Sequence, residues 1–265
     1  MLSSYHSSCT TLLDFDPKTT WMLPVVAETY DGVLNDINGF HLQESDAIDA
    51  VMNASFTNIQ EGCVGGGTGM IAHGFKAGIG TSSRIATIGE RQFTVGVLVQ
   101  ANCGYRRSLT VAGVRVGDKF QNTPLPGGKP DSDQGSIIVI VATDCPLLPH
   151  QLNRVARRVP GGIARVGAYG ANSSGDIFLA FSTANTISCS KDASNVKFSS
   201  TLSLEMMDNE CIDPIFEATI QATEEAMLNS LTVAETMVGF GGNTAYKLPQ
   251  DELMSLLKNH HCLQS

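Results

Sequence analysis

Two periods of apolar and polar positions alternate along this chain, and each change of period marks an element. Arg84–Ile88 and Phe93–Val99 follow the short period of strands. The polar turn Gly89-Glu90-Arg91-Gln92 joins them, which predicts a β-hairpin. Val111–Val116 reads as another strand. Ile137-Ile138-Val139-Ile140-Val141-Ala142 is a continuous, largely β-branched run, the pattern of a strand buried on both faces. Ile163–Ala168 and Ile177–Thr183 also read as strands, the second reached through the turn Asn172-Ser173-Ser174-Gly175-Asp176. Helical spacing appears first in Glu44–Ala54, acidic in its first turn as the helix dipole favours. It returns in His150–Arg158, which Pro149 opens and Pro160-Gly161-Gly162 ends, with Leu152, Val155 and Ala156 on the inner face. A long helical stretch over 213–238 carries Ile215, Ala218, Ala222, Ala226 and Met227 on one face, and Gly239, Gly241 and Gly242 close it. A short helix over Gln250–Lys258 follows. Residues 1–20 and 189–201 are aperiodic and read as surface segments. With no repeat and no long linker, the pattern predicts one α+β domain over 1–265, its sheets covered by helices.

Composition narrows the class. The chain has 265 residues, 42% hydrophobic and 16% charged, enough to bury a large core. A formal charge of −9 lacks the basic footprint of a nucleic-acid binder. No run of 18 apolar residues exists, so no membrane-spanning helix is expected, and Met1–His6 lacks the features of a secretory signal. The seven cysteines are scattered, with no CxxC pair. They read as free thiols in a reducing compartment, hence a cytoplasmic protein with no zinc site.

Four stretches carry candidate chemistry. The glycine-rich segment Glu61–Thr81 contains Gly67-x-Gly69-x-x-Ala72, with Glu90 further on, a formal match to a dinucleotide fingerprint. More glycines follow where a helix would have to open, so close backbone approach around a pocket is the better reading. Glu28 and Tyr30 stand just before the turn Asp31-Gly32, as at the mouth of a ligand pocket or the end of an edge strand. Asn102 ends a strand, where its amide could serve a developing oxyanion or simply begin a turn. The fourth stretch is the junction Asp131-Ser132-Asp133-Gln134-Gly135-Ser136, where a loop of turn formers feeds a hydroxyl residue into a strand. Cleavage at Gly135–Ser136 would leave an α-amine of pKa about 7.7–8.0 beside the Ser136 hydroxyl, the logic of an N-terminal nucleophile. The plainer reading is a loop capped by a serine.

LPVVAETYDG (23–32), EGCVGGGTGM (61–70), GIGTSSR (78–84), VQAN (99–102), GSIIVIVATDCPLLPHQLNRVARR (135–158) and SSGDIFLAFSTAN (173–185), in this order, resemble the DmpA-like family of L-aminopeptidase/D-esterases, or β-aminopeptidases. The resemblance implies an αββα sandwich similar to that of N-terminal-nucleophile hydrolases. It also implies self-cleavage at Gly135–Ser136 into an α-chain (1–135) and a β-chain (136–265). Ser136 is then the nucleophile, assisted by Ser174 and Asp176, with Asn102 in the oxyanion hole, Tyr30 a site tyrosine and Glu28 the carboxylate for the substrate's amine. No metal or other cofactor is implied. Substrates would be small peptides, aminoacyl amides or esters, including β- and D-amino-acid derivatives, and processed αβ pairs would assemble as homo-oligomers. Family members carry a long segment before the first motif, where this chain has 22 residues. That difference opens an alternative, a truncated and inactive homologue acting as a binding or assembly subunit.

Overall fold

The computed structural model describes residues 25–55, 57, 59–128, 130–131, 135–186 and 201–262. They fall into two compact units. The smaller comprises 1–26, 37–59 and 185–204, and its described helix is α1 (Glu44–Met52), none of whose residues is buried. The larger, comprising 27–36, 60–184 and 205–265, holds the remaining elements.

Its centre is a four-stranded sheet of β3 (Ile79–Ile88), β4 (Arg91–Asn102), β7 (Ser136–Thr143) and β8 (Ile177–Ser182), in that order. Short ribbons precede the sheet: β1 (Ile71–Ala72) pairs with β2 (Phe75–Lys76). Strands β3 (Ile79–Ile88) and β4 (Arg91–Asn102) form the expected hairpin, longer at both ends than periodicity shows. Between β4 and the next sheet strand, β5 (Thr110–Val111) and β6 (Val114–Arg115) form a two-residue hairpin. This replaces the single strand expected over 111–116. Ala112 and Gly113, at φ 50° and 77°, turn the chain back between them. Strand β7 (Ser136–Thr143) runs antiparallel to β4, and β8 (Ile177–Ser182) runs parallel to β7. A parallel neighbour needs a crossover, and two helices supply it, α2 (Pro149–Ala156) and α3 (Val159–Arg165).

Helix α3 corrects the strand expected over 163–168. Pro160 sits in its first turn, where a missing N–H costs nothing. Gly162 lies so close to the long helix α4 (Asp213–Thr232) that a Cβ there would stand 2.6 Å from the Ile220 carbonyl oxygen and 2.5 Å from Thr223 Cβ. Gly162 thus serves helix contact, not helix ending. Helix α4 itself stops at Thr232, short of the expected 238. Met237–Val238 form β9, paired with β10 (Thr244–Ala245). Helix α5 (Gln250–Asn259) matches the expected terminal helix. The surface segments expected at 1–20 and over most of 189–201 lie outside the described residues.

The core lies between α4 and one face of the sheet. Val95, Val97, Val99 and Ala101 of β4 and Ile137, Val139 and Val141 of β7 are buried against Ile215, Ala222, Ala226 and Met227 of α4. Each fully buried valine, isoleucine or methionine among them contributes about 1.5–3 kcal/mol. The opposite face is not sealed: Ile177, Leu179 and Phe181 are 40–43% exposed. Strand β7 therefore alternates between buried and half-buried positions, where its apolar run predicts burial on both faces.

Candidate active site

Ser136 opens β7, Asn102 closes β4, and the two are register partners across the antiparallel pair. Residues directly opposite one another project to the same face, so the sheet itself brings a hydroxyl and a carboxamide 34 positions apart to one corner. The residue before Ser136 must be glycine. A Cβ on Gly135 would stand 1.5 Å from the Asn102 carbonyl oxygen and 3.3 Å from Asn102 Nδ2. The loop chain thus runs directly over the end of β4 before entering β7.

The turn leading into β8 supplies the third component. The Gly175 backbone N–H donates to Ser136 Oγ at 3.0 Å, and Ser174 Oγ donates to Asp176 Oδ1 at 2.5 Å. Because β8 lies beside β7 in parallel, the strand that carries the nucleophile candidate also positions this turn. Ser174 keeps its lone pairs available as acceptors while its own proton is committed to Asp176.

Asn102 is 5% exposed, and its carboxamide is held at both ends. Oδ1 accepts from the Ile71 N–H at 3.0 Å, and Nδ2 donates to the Tyr30 carbonyl at 2.8 Å. The Ile71 N–H identifies the oxygen end, and Asn102 and Tyr30 both line a cavity. That cavity has a volume of about 430 Å³, and its lining includes Tyr30, Asp31, Asn102, Asp131, Gly135 and Ser173. Gly69 and Gly74 also line it, which is the close backbone approach expected of the glycine-rich segment.

Gly135, Ser136, Asn102, Tyr30 and the Ser174–Asp176 turn therefore converge. Glu28 does not join them: it is exposed, and it stands outside the cavity lining, as do Ser136, Ser174 and Asp176 themselves. Two carboxylates that sequence reasoning missed are in the lining, Asp31 and Asp131. Asp131 accepts from the backbone N–H groups of Arg106 (2.7 Å) and Arg107 (3.2 Å) and from Arg107 Nη1 (3.4 Å). The signal for Asp31 was its place beside Tyr30. For Asp131 it was the acidic loop before the junction.

A buried polar wall supports the cavity. The Arg106 guanidinium donates to the carbonyls of His73 (3.0 Å), Phe120 (3.2 Å), Thr123 (3.1 Å) and Gly74, and its Cζ sits 3.6 Å from the Phe75 ring centroid. Burial draws its pKa down to about 10. His73 is fully buried, with Nδ1 3.1 Å from the Tyr105 carbonyl, and burial lowers its pKa to about 4, so the ring is neutral. Among the described residues, no group of three or more His, Cys, Asp or Glu could hold a metal ion. The dinucleotide reading fails on geometry. Gly65–Gly67 form one short 3₁₀ turn, and the chain then enters the two-residue strand β1 where a phosphate-binding helix would have to start.

Residues 3–245 match the model of peptidase family S58. The chain belongs to peptidase family S58. It is 47% identical over 255 residues to a beta-peptidyl aminopeptidase of Sphingosinicella microcystinivorans, covering 92% of this chain and 63% of that relative. Among solved structures it is similar to the L-aminopeptidase D-Ala-esterase/amidase of Ochrobactrum anthropi, described as a new variant among the Ntn hydrolase fold. There the TM-score is 0.85 at 44% identity, over 97% of this chain and 68% of that one. A beta-aminopeptidase from Burkholderia sp. matches with a TM-score of 0.85 at 40% identity, over 96% and 69% of the two chains. The α+β fold is thus that of the family's Ntn-hydrolase variant. The described four-stranded sheet, with its helices, forms part of that architecture.

Proposed function

We propose that this protein is a self-processing serine aminopeptidase that removes N-terminal residues from small peptides, amides or esters through an acyl-enzyme on Ser136. The observation that carries this is the corner itself. Ser136 and Asn102 are paired in register, Gly175 donates to the Ser136 hydroxyl, and the peptide before Ser136 crosses the end of β4 with no room for a side chain.

In self-processing, Ser136 Oγ bonds to the Gly135 carbonyl carbon. The C–N bond then breaks, and the hydroxyl proton passes to the departing amine. Water hydrolyses the resulting ester, leaving a Gly135 carboxylate and a Ser136 with a free α-amine. In turnover the same oxygen attacks the substrate carbonyl, the leaving amine takes a proton, and water releases the acyl group. Asn102 Nδ2, which in the uncut chain donates to the Tyr30 carbonyl, would move to the tetrahedral oxyanion. Two groups can take the Ser136 proton: its own α-amine, with an ordinary pKa of about 7.7–8.0, or the Ser174–Asp176 pair. Ser174, already donating to Asp176, fits a relay better than a base. The family resemblance assigns the substrate's ammonium to Glu28, and Asp31 and Asp131 add two carboxylates within the cavity itself. The similar beta-peptidyl aminopeptidase and L-aminopeptidase D-Ala-esterase support β- or D-amino-acid derivatives as substrates. We place the enzyme in the cytoplasm, from its cysteine usage, as an oligomer of processed pairs, from the family resemblance.

A second reading, an inactive homologue acting as a binding or assembly subunit, is favoured by the exposed apolar face of β8. Replacing Ser136 by Ala separates the two. The enzyme reading requires loss of both chain splitting and amide hydrolysis relative to wild type, whereas a subunit shows neither in either form.

A further inference from the structure

Lys76 is fully buried in β2, yet among the described residues no carboxylate forms an ion pair with it. Its three N–H bonds go instead to main-chain carbonyls: Gly67 at 3.2 Å, Met70 at 3.1 Å and Ala77 at 2.6 Å. Burial draws its pKa below the ordinary lysine value, and the neighbouring Cys63 side chain opposes that shift. Burying an ammonium without a paired carboxylate is costly, so a lysine at this place calls for a reason beyond packing.

The reason lies in what the Met70 carbonyl belongs to. That oxygen and the Ile71 N–H are the two ends of one peptide unit. The oxygen accepts from Lys76 Nζ and also from the Ala77 N–H at 3.0 Å. The N–H donates to Asn102 Oδ1 at 3.0 Å, and the other end of that carboxamide, Nδ2, donates to the Tyr30 carbonyl and is the donor proposed above for the oxyanion. The chain of groups is continuous: ammonium, peptide, carboxamide. Hydrogen bonds in series polarise one another, most strongly away from water. An ammonium on the carbonyl makes the Ile71 N–H a stronger donor. That in turn draws charge onto Asn102 Oδ1 and leaves Nδ2–H a better donor.

We propose that Lys76 is a positioning residue for catalysis, acting through the Met70–Ile71 peptide to orient and polarise the Asn102 carboxamide. It rests on the reading of Asn102 as the oxyanion donor, and the test keeps the two apart. Rates on an aminoacyl anilide are measured per split chain, counted by intact mass, for wild type, Lys76→Met, Asn102→Ala and the double variant. Lys76→Met should lower kcat by about tenfold, less than the roughly 10²–10³ expected for deleting the donor itself, while KM changes by less than about twofold. On the Asn102→Ala background it should cost nothing further. An equal loss on both backgrounds, an unchanged kcat, or a loss confined to KM overturns the proposal. If Asn102→Ala leaves kcat intact, it is the oxyanion assignment that fails. Should the Lys76 variant not fold, the wild-type Nζ nitrogen resonance decides. An ammonium at pH 7 with a through-bond correlation to the Met70 carbonyl carbon is expected, and a neutral amine overturns the proposal.

Discussion

Ser136 sits where three separate constraints meet: the register with Asn102, the Gly175 N–H on its oxygen, and the crowded Gly135 before it. Asn102→Ala removes the carboxamide while leaving the strand pairing, so turnover should fall by about 10²–10³ with the fold intact by circular dichroism. Retained turnover would take Asn102 out of the mechanism. A different residue governs stability in acid. His73 is neutral in the folded chain down to about pH 4, whereas a free histidine takes its proton near pH 6.5. Between these values the unfolded chain binds the extra proton. The stabilisation is therefore complete above pH 6.5 and is lost as pH falls toward 4, by about 3 kcal/mol in all. His73→Asn tolerates the left-handed backbone at φ 48°. Urea unfolding of that variant between pH 7 and pH 4 should lose this part of the slope; an unchanged slope would exclude His73 as its source. At this scale the recognisable motifs led to Ser136, Asn102, Ser174 and Asp176. Asp131 was only faintly legible as a cavity residue, because its place depends on the distant Arg106 and Arg107 backbone it meets.

At the scale of elements, period alone separated strands from helices wherever a segment was long. It failed where glycine had two meanings. Gly161-Gly162 reads as a helix stop, yet both lie within α3, and Gly162 lets α3 approach α4. The neighbouring glycines make opposite predictions. A Cβ on Gly161 would meet Ile220 carbons at 3.4 Å, an ordinary contact, so Gly161→Ala should gain about 0.5–1 kcal/mol from helix propensity. Gly162→Ala forces a Cβ against the Ile220 carbonyl and should cost about 1–3 kcal/mol. Thermal unfolding of both variants checks the pair, and equal shifts would contradict the close helix contact. The Val111–Val116 stretch failed for a related reason. Ala112 at positive φ carries no sequence signature of a turn, so a two-residue hairpin reads as one strand.

At the scale of the molecule, the sheet has one face packed on α4 and another that carries the Ser136–Asn102 corner and the half-exposed Ile177, Leu179 and Phe181. The apolar run of β7 pointed to a strand covered on both sides, and among the described residues only one side is fully buried. The chemistry proposed for this corner requires that one peptide bond break. Intact-mass analysis of the purified 28.1 kDa chain tests this most directly. Two polypeptides divided between Gly135 and Ser136, with Ser136→Ala remaining whole, is the predicted result. A wild-type chain that stays at its full mass, or one cut elsewhere, contradicts the account.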